Sequence, residues 1–361
     1  MPKPLQYYKL IFLMILTVSL AACANGNGQT KVGLLFPDLE NERWRKEEAM
    51  LTRLLTEKGY EVTSLAANQD SRLQADQVDN LVREGVKALI IVAVDGSAIV
   101  PAVDTAIAAD VKILAYDRLI KSPKISAYVS FDNREAGRLQ ARSLLDALDA
   151  DNRIDSLNIV RVSGAPTDHN NVLYQMGQDD VLQPYLAVRK VRLIADEAIT
   201  TREQISAQRA VESALAKQEN DIDAVLVSNE ILALGVLDAL RAAELENVIP
   251  LAGQETGQFS TNAIAKGELL LSIYRDTRDL PHLAVSILDR LIKERPLIEL
   301  QRCEMANLTG DETLSGTIFC VLLPVNTLTQ ENLFDLVVRT GYEPYDDVYR
   351  EVPDSMRPAR P

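Results

Sequence analysis

The chain predicts an α/β fold of two lobes, each built on a doubly wound parallel sheet. Three observations carry this expectation. Short Val/Ile/Leu-rich runs alternate with longer segments of helical periodicity, the alternation restarts near residues 125–130, and seven polar clusters each sit where a strand pattern ends. Open parallel sheets take their ligands in the crevice beyond the carboxyl ends of the strands, so those clusters are the candidate site. In the first cycle, strand patterns at 31–36, 61–66, 88–93 and 112–116 alternate with helical ones at 44–58, 73–83 and 98–109. In the second, strands at 157–162, 191–194, 224–227 and 249–252 alternate with helices at 134–147, 171–182, 202–217 and 231–242. A strand pattern at 269–274, a helix at 280–293 and an apolar run at 316–323 follow. The seams at 125–133, 271–276 and 317–325 are candidate crossings between lobes, a geometry that periodicity alone leaves open. The expected division is 31–130 plus 275–316 for the first lobe and 131–274 plus 317–348 for the second. Residues 349–361, with Pro353, Pro358 and Pro361, read as a frayed tail.

The N-terminus indicates export. Lys3 and Lys9 precede an apolar run at 10–22, and Leu20-Ala21-Ala22-Cys23 reads as a lipobox whose cysteine is acylated after cleavage. Residues 1–22 are then a lipoprotein signal peptide, and 23–30, with Asn25-Gly26-Asn27-Gly28-Gln29, a flexible tether. No second stretch approaches the ~18 apolar residues of a membrane span. Loss of Lys3 and Lys9 takes the net charge from −14 to −16. Phosphate attraction needs clustered Lys and Arg, so a nucleic-acid partner is not expected. The 361-residue length favours two domains. Beyond Cys23, Cys303 and Cys320 form an even pair, open to a disulfide or to two separate buried thiols. With only His169 and His282, and no Cys-x-x-Cys or His-Glu-x-x-His spacing, neither a metal nor a cofactor is expected.

The polar clusters supply Arg43, Asp117, Arg118, Asp168, Asn170, Asn229, Glu255 and Arg275, with cations and carboxylates in balanced number. Carboxylates accept from hydroxyls, while guanidinium and amide groups donate, so this set suits a neutral polyol whose hydroxyls do both. Each residue taken singly reads equally as a solvated strand end or a salt bridge between lobes. Trp44, the single tryptophan, is a candidate for stacking on sugar C–H patches or an anchor for the first helix, with Phe36 and Tyr274 as further aromatic candidates. His169 either donates to a ligand or sits solvated on a loop. No Gly-x-Gly-x-x-Gly, phosphate-binding loop or Gly-x-Ser-x-Gly elbow occurs, and an enzyme is not expected, although Asp117 and Asp168 have the chemistry of an acid/base pair.

The segments 31–36 with Glu42-Arg43-Trp44, 113–118, Ser130-Phe131-Asp132-Asn133, Pro166 to Asn170 and 222–229 resemble the xylose and multiple-sugar-binding branch of the type I periplasmic binding proteins. Asp276 to Leu280 and Leu323-Pro324-Val325-Asn326 extend the resemblance to about residue 348. It implies two lobes joined by a three-stranded hinge, closing on a monosaccharide that passes to an ABC permease or a receptor. It also implies ligand contacts from Arg43, Trp44, Asp117, Arg118, Asp168, Asn170, Asn229, Glu255 and Arg275; a monomer is expected, held to the membrane by the lipid on Cys23. A second reading keeps the fold and makes the chain a ligand-sensing lipoprotein acting through a membrane receptor, with a ligand other than xylose or other than a sugar. The pattern departs from the family at Glu255 for its usual Asp, Arg275 for Lys, Glu230 for Asp, and Pro37 for a pocket Asp that other members also replace by Pro. The tryptophans that the xylose-binding proteins place after Asp196 are absent from Glu197 to Arg202. Enlarged groups at 255 and 275 are expected to reshape the pocket.

Overall fold

Strands that are apolar on both faces must be covered on both faces, and this requirement organises the chain into two helix-covered sheets. The structure, a computed structural model, describes residues 29–150, 157–201, 204–298 and 300–360. The expected signal peptide, Cys23 and the tether up to residue 28 lie outside the described residues. Among those described, no helix is long and apolar enough to cross a membrane.

The first sheet has seven strands. Its first five strands, all parallel, are β1 (Lys31–Phe36), β2 (Glu61–Ala66), β3 (Ala88–Ile91), β4 (Lys112–Tyr116) and β5 (Ala127–Phe131), with α1 (Glu42–Glu57), α2 (Ser71–Arg83) and α3 (Val100–Ala108) between the first four. Alternation along β1 shows why both faces are needed. Val32, Leu34 and Phe36 pack with Trp44, Leu51 and Leu55 of α1, while Leu35 packs with Val78 and Leu81 of α2 and Val103 of α3. The second sheet, all parallel, comprises β6 (Leu157–Gly164), β7 (Val191–Ile199), β8 (Ala224–Val227) and β9 (Leu251–Ala252) in the order β7-β6-β8-β9. Its helices are α4 (Asn133–Ala150), α5 (His169–Ala187), α6 (Gln204–Lys217), α7 (Glu230–Ala242) and α8 (Gln258–Lys266).

Three chain passages join the lobes. The first runs from β5 into α4. The second runs from β10 (Ser272–Tyr274), whose neighbour Leu271 bridges Ala252 of the second sheet, into α9 (Asp279–Ile292), which packs on the first. The third joins β12 (Thr317–Leu323) to β13 (Asn326–Leu328), which pairs with β10. Between α9 and β12 lie β11 (Gln301–Glu304) and a single turn, α10 (Met305–Thr309).

Two expected boundaries shift. Residues 317–323, assigned to the second lobe, pair with β5 in the first sheet, so the third crossing falls after Leu323. The expected frayed tail begins packed. Tyr349 and Val352 are buried in the second-lobe core with Val348 of α11 (Tyr345–Val348) and Val337 of a π-helical turn, Phe334–Val338. Other elements carry no apolar signature. β11, of sequence Gln-Arg-Cys-Glu, is an exposed antiparallel edge strand on β12. A disulfide between Cys303 and Cys320, with Cα atoms 5.9 Å apart, ties that edge to its neighbour. Short α8 lies between Gly257 and Gly267, the latter at φ +80°.

Packing of α4 on α5 sets the site. A Cβ at Gly177 would lie 1.9 Å from the Arg134 carbonyl oxygen, and one at Gly137 would lie 2.1 Å from the Tyr174 carbonyl oxygen. Only glycine at both positions lets the start of α4 cross α5 this closely. Gly177→Ala is therefore expected to separate the two helices and destabilise the protein by about 1–3 kcal/mol. Urea unfolding measures this; an unchanged midpoint would show that the contact is not tight.

Candidate functional site

The cleft between the lobes is built from helix starts and strand ends. After β1, Asn41 caps α1, its side chain accepting from the Arg43 amide at 2.8 Å. This holds Arg43 in the first helical turn, where its Nε donates to Glu47 at 2.6 Å and its Nη2 to Asp117 at 2.5 Å. Glu47 in turn accepts from the Tyr116 hydroxyl at 2.6 Å. After β4, Asp117 stands at φ +61°, a left-handed conformation that costs an L-residue roughly 1–2 kcal/mol. Three hydrogen bonds fix it there. Its amide donates to the Val129 carbonyl, and its carbonyl accepts from Tyr128 and Ser130 hydroxyls.

From the second lobe, Asp168 caps α5 and Asn170 follows in its first turn. Asn170 donates to Asp117 Oδ1 at 2.9 Å and accepts from Asn133, at the start of α4, at 2.9 Å. Arg118 spans the lobes, with Nη1 donating to the Ala93 carbonyl at 3.2 Å and Nη2 paired with Asp168 at 2.8 Å. Asn229 caps α7 through Leu232 N at 2.9 Å. On the second crossing, Arg275 donates to the Tyr174 hydroxyl at 2.6 Å and the Gln254 carbonyl at 2.7 Å, with Glu255 Oε1 at 3.6 Å.

Electrostatics follow from this arrangement. Burial works against the ionised form of Asp117, but Arg43, then Arg275 and Arg118, outweigh it and hold its carboxyl below the usual range. Burial also opposes the charge on Arg43, and Asp117 and Glu47 together raise its pKa well above the ordinary guanidinium value. For Arg275, burial is outweighed by Tyr174 and Glu255, and its pKa is raised. For Glu47, burial prevails and its pKa is raised.

All nine residues expected in the site line one cleft: Arg43, Trp44, Asp117, Arg118, Asp168, Asn170, Asn229, Glu255 and Arg275. Three are cations and three are carboxylates, so the lining charges cancel. Trp44 anchors the first helix, as one of its two expected roles required, and also borders the cleft. It is 4% exposed within the core of the first lobe, with the Arg43 guanidinium 4.5 Å from its ring centroid. Phe36 packs on Trp44 at 6.2 Å, and Tyr274 packs edge-on against Tyr342 at 5.4 Å; neither borders the cleft. His169 is neither solvated nor at the cleft. Its Nε2 lies 2.9 Å from the Leu308 carbonyl on α10, and burial pushes it down to about 4. Among the described residues 197–201, none borders the cleft.

Tyr174, Asn171, Ser228, Gly164 and Asn41 also border the cleft and were not among the expected contacts. Tyr174 had a signal, since it lies four residues after Asn170 on one helix face. Glu230 turns away and caps α8, accepting from Gly257 N at 2.8 Å and Ser260 N at 3.0 Å.

A family profile described as a periplasmic binding protein domain matches residues 32–296. The D-xylose-binding periplasmic protein of Escherichia coli (strain K12) is 29% identical over 87% of this chain and 91% of its own length. The multiple sugar-binding periplasmic receptor of Rhizobium radiobacter is 30% identical over 73% of this chain and 78% of its own. An ABC transporter solute-binding protein from Clostridium phytofermentans, solved with bound β-D-glucose, superposes with a TM-score of 0.78 at 26% identity, covering 88% of this chain and 100% of that one.

Burial, with Glu255 beside it, pushes Glu230 up from 4.5 to about 7. A carboxyl whose pKa is higher folded than unfolded favours the fold while protonated. Its contribution is complete below about pH 4.5 and is lost as pH rises through about 7. Glu230→Gln should therefore match the parent at pH 4.5 and exceed its stability at pH 8 by on the order of 2 kcal/mol. Parallel midpoints across that range would contradict the assignment; His169 is common to both proteins and cancels.

Proposed function

Because the chain belongs to the periplasmic binding protein family, we propose that it is a lipid-anchored extracytoplasmic solute-binding protein that captures a xylose-like or related aldose between its lobes and delivers it to an ABC permease. The observation that carries this reading is the charge balance of the cleft. Three guanidinium groups and three carboxylates, joined by Asn170 and Asn229, offer donors and acceptors in fixed planes with no net charge for an ionic ligand to neutralise. A pyranose presents hydroxyls that satisfy both kinds of group. The relatives named above, a D-xylose binder, a multiple-sugar receptor and a β-D-glucose complex, support the same class of ligand. Cys23 would anchor the monomer to a membrane, in the periplasm or at the cell surface. The family is one of binding proteins, and no catalytic role is assigned to Asp117 or Asp168.

Binding would proceed by population shift. Arg118–Asp168 and Asn170–Asp117 already join the lobes directly, and a ligand touching Arg43, Asp117 and Arg118 on one side and Asp168, Asn170 and Asn229 on the other would favour the closed form further. Arg118→Ala removes the Nη2 contact to Asp168 and a donor that a sugar hydroxyl would use in the cleft. Calorimetric titration with D-xylose and D-glucose should show an affinity loss of about 1–3 kcal/mol, or roughly 5- to 150-fold. Unchanged affinity would remove Arg118 from the site. Cys23→Ser should move the protein from the membrane to the soluble fraction; continued membrane retention would contradict the anchor.

A further inference from the structure

The inner cleft opens sideways into a second cavity between the lobes. The cleft itself offers about 50 Å³, and the adjoining groove about 920 Å³. Asn41, Arg43, Glu255 and Arg275 line both, so the two are continuous. One wall of the groove is α1, with Lys46, Met50 and Arg53; the other is the start of α8 with Phe259 and the segment 342–344. Six carboxylates and five cations line it, a near-balanced mixture that repeats the chemistry of the inner cleft. A strongly anionic or cationic ligand finds no matching field there.

The groove adds what the cleft lacks. The indole of Trp44 already has Arg43 at 4.5 Å and Arg118 at 6.0 Å from its centroid, and the ring of Tyr342 has Arg278 at 5.4 Å. Phe259 is half-buried on the groove wall and has no aromatic or guanidinium partner among the described residues. Balanced polar groups around a phenyl ring suit the C–H face of a sugar. We propose that the ligand is disaccharide-sized, with one ring in the inner cleft and a second, glycosidically linked ring in this groove against Phe259. The proposal rests on the sugar-binding reading and extends it from a free aldose to a glycoside.

The test is calorimetric titration of the soluble chain, residues 24–361, with D-xylose and D-glucose and with xylobiose, cellobiose and maltose. At least one disaccharide should bind tenfold or more tightly than its own monosaccharide. Phe259→Ala should remove that tenfold gain and leave monosaccharide affinity unchanged. Because Phe259 also packs on the second-lobe core, Arg53→Ala serves as a second variant. Arg53 is exposed and its ion pair, to Glu57 at 3.7 Å, is loose, so its loss spares the fold, and it should weaken disaccharide binding alone. Monosaccharide binding with no gain for any disaccharide would overturn the glycoside proposal and leave the sugar-binding reading standing. Absence of binding by every sugar would overturn both.

Discussion

Three guanidinium groups enter one narrow interlobe cleft, and the rest of the site is arranged to match them. Arg118 and Arg275 are each 4% exposed, and a buried cation stripped of its partner costs roughly 3–5 kcal/mol. Each therefore needs an acceptor within reach. Asp117 and Glu47 serve Arg43, Asp168 and the Ala93 carbonyl serve Arg118, and Tyr174, the Gln254 carbonyl and Glu255 serve Arg275. Because Arg118 and Asp168 come from different lobes, their ion pair ties the two lobes together across the cleft.

The scaffold makes that matching possible. Both sheets deliver their carboxyl ends to the same crevice, and caps at Asn41, Asp168 and Asn229 fix the first turns of α1, α5 and α7. The strained backbone at Asp117, held by Val129, Tyr128 and Ser130, aims a carboxylate at both Arg43 and Asn170. The glycines at 137 and 177 bring α4 and α5 close enough for Asn133 to orient Asn170. Core packing and the geometry of the cleft are thus coupled through a few contacts.

Much of this was legible from sequence because parallel strands leave long apolar runs and ligand groups gather where those runs stop. All nine expected residues border one cleft for that reason. Other features lay beyond that signal. β11 is polar and exposed, so no alternation announced it, and β12 is equally apolar whichever sheet it joins, so the lobe boundary at 317 was misplaced. The fate of Glu230 was hidden because capping of α8 depends on how two successive helices pack, which no local pattern records. The burial of His169 depends on α10, a five-residue turn more than a hundred positions away.

The central claim is that cancelled charge in the cleft selects a neutral polyol. A thermal-shift screen of residues 24–361 against neutral pentoses and hexoses, sugar acids and amino sugars tests it most directly, because a ligand bound only by the native state raises the midpoint by mass action. The account predicts a clear rise with at least one neutral aldose and none with its acid or amine counterpart. A rise confined to charged solutes, or no rise with any sugar, would contradict it.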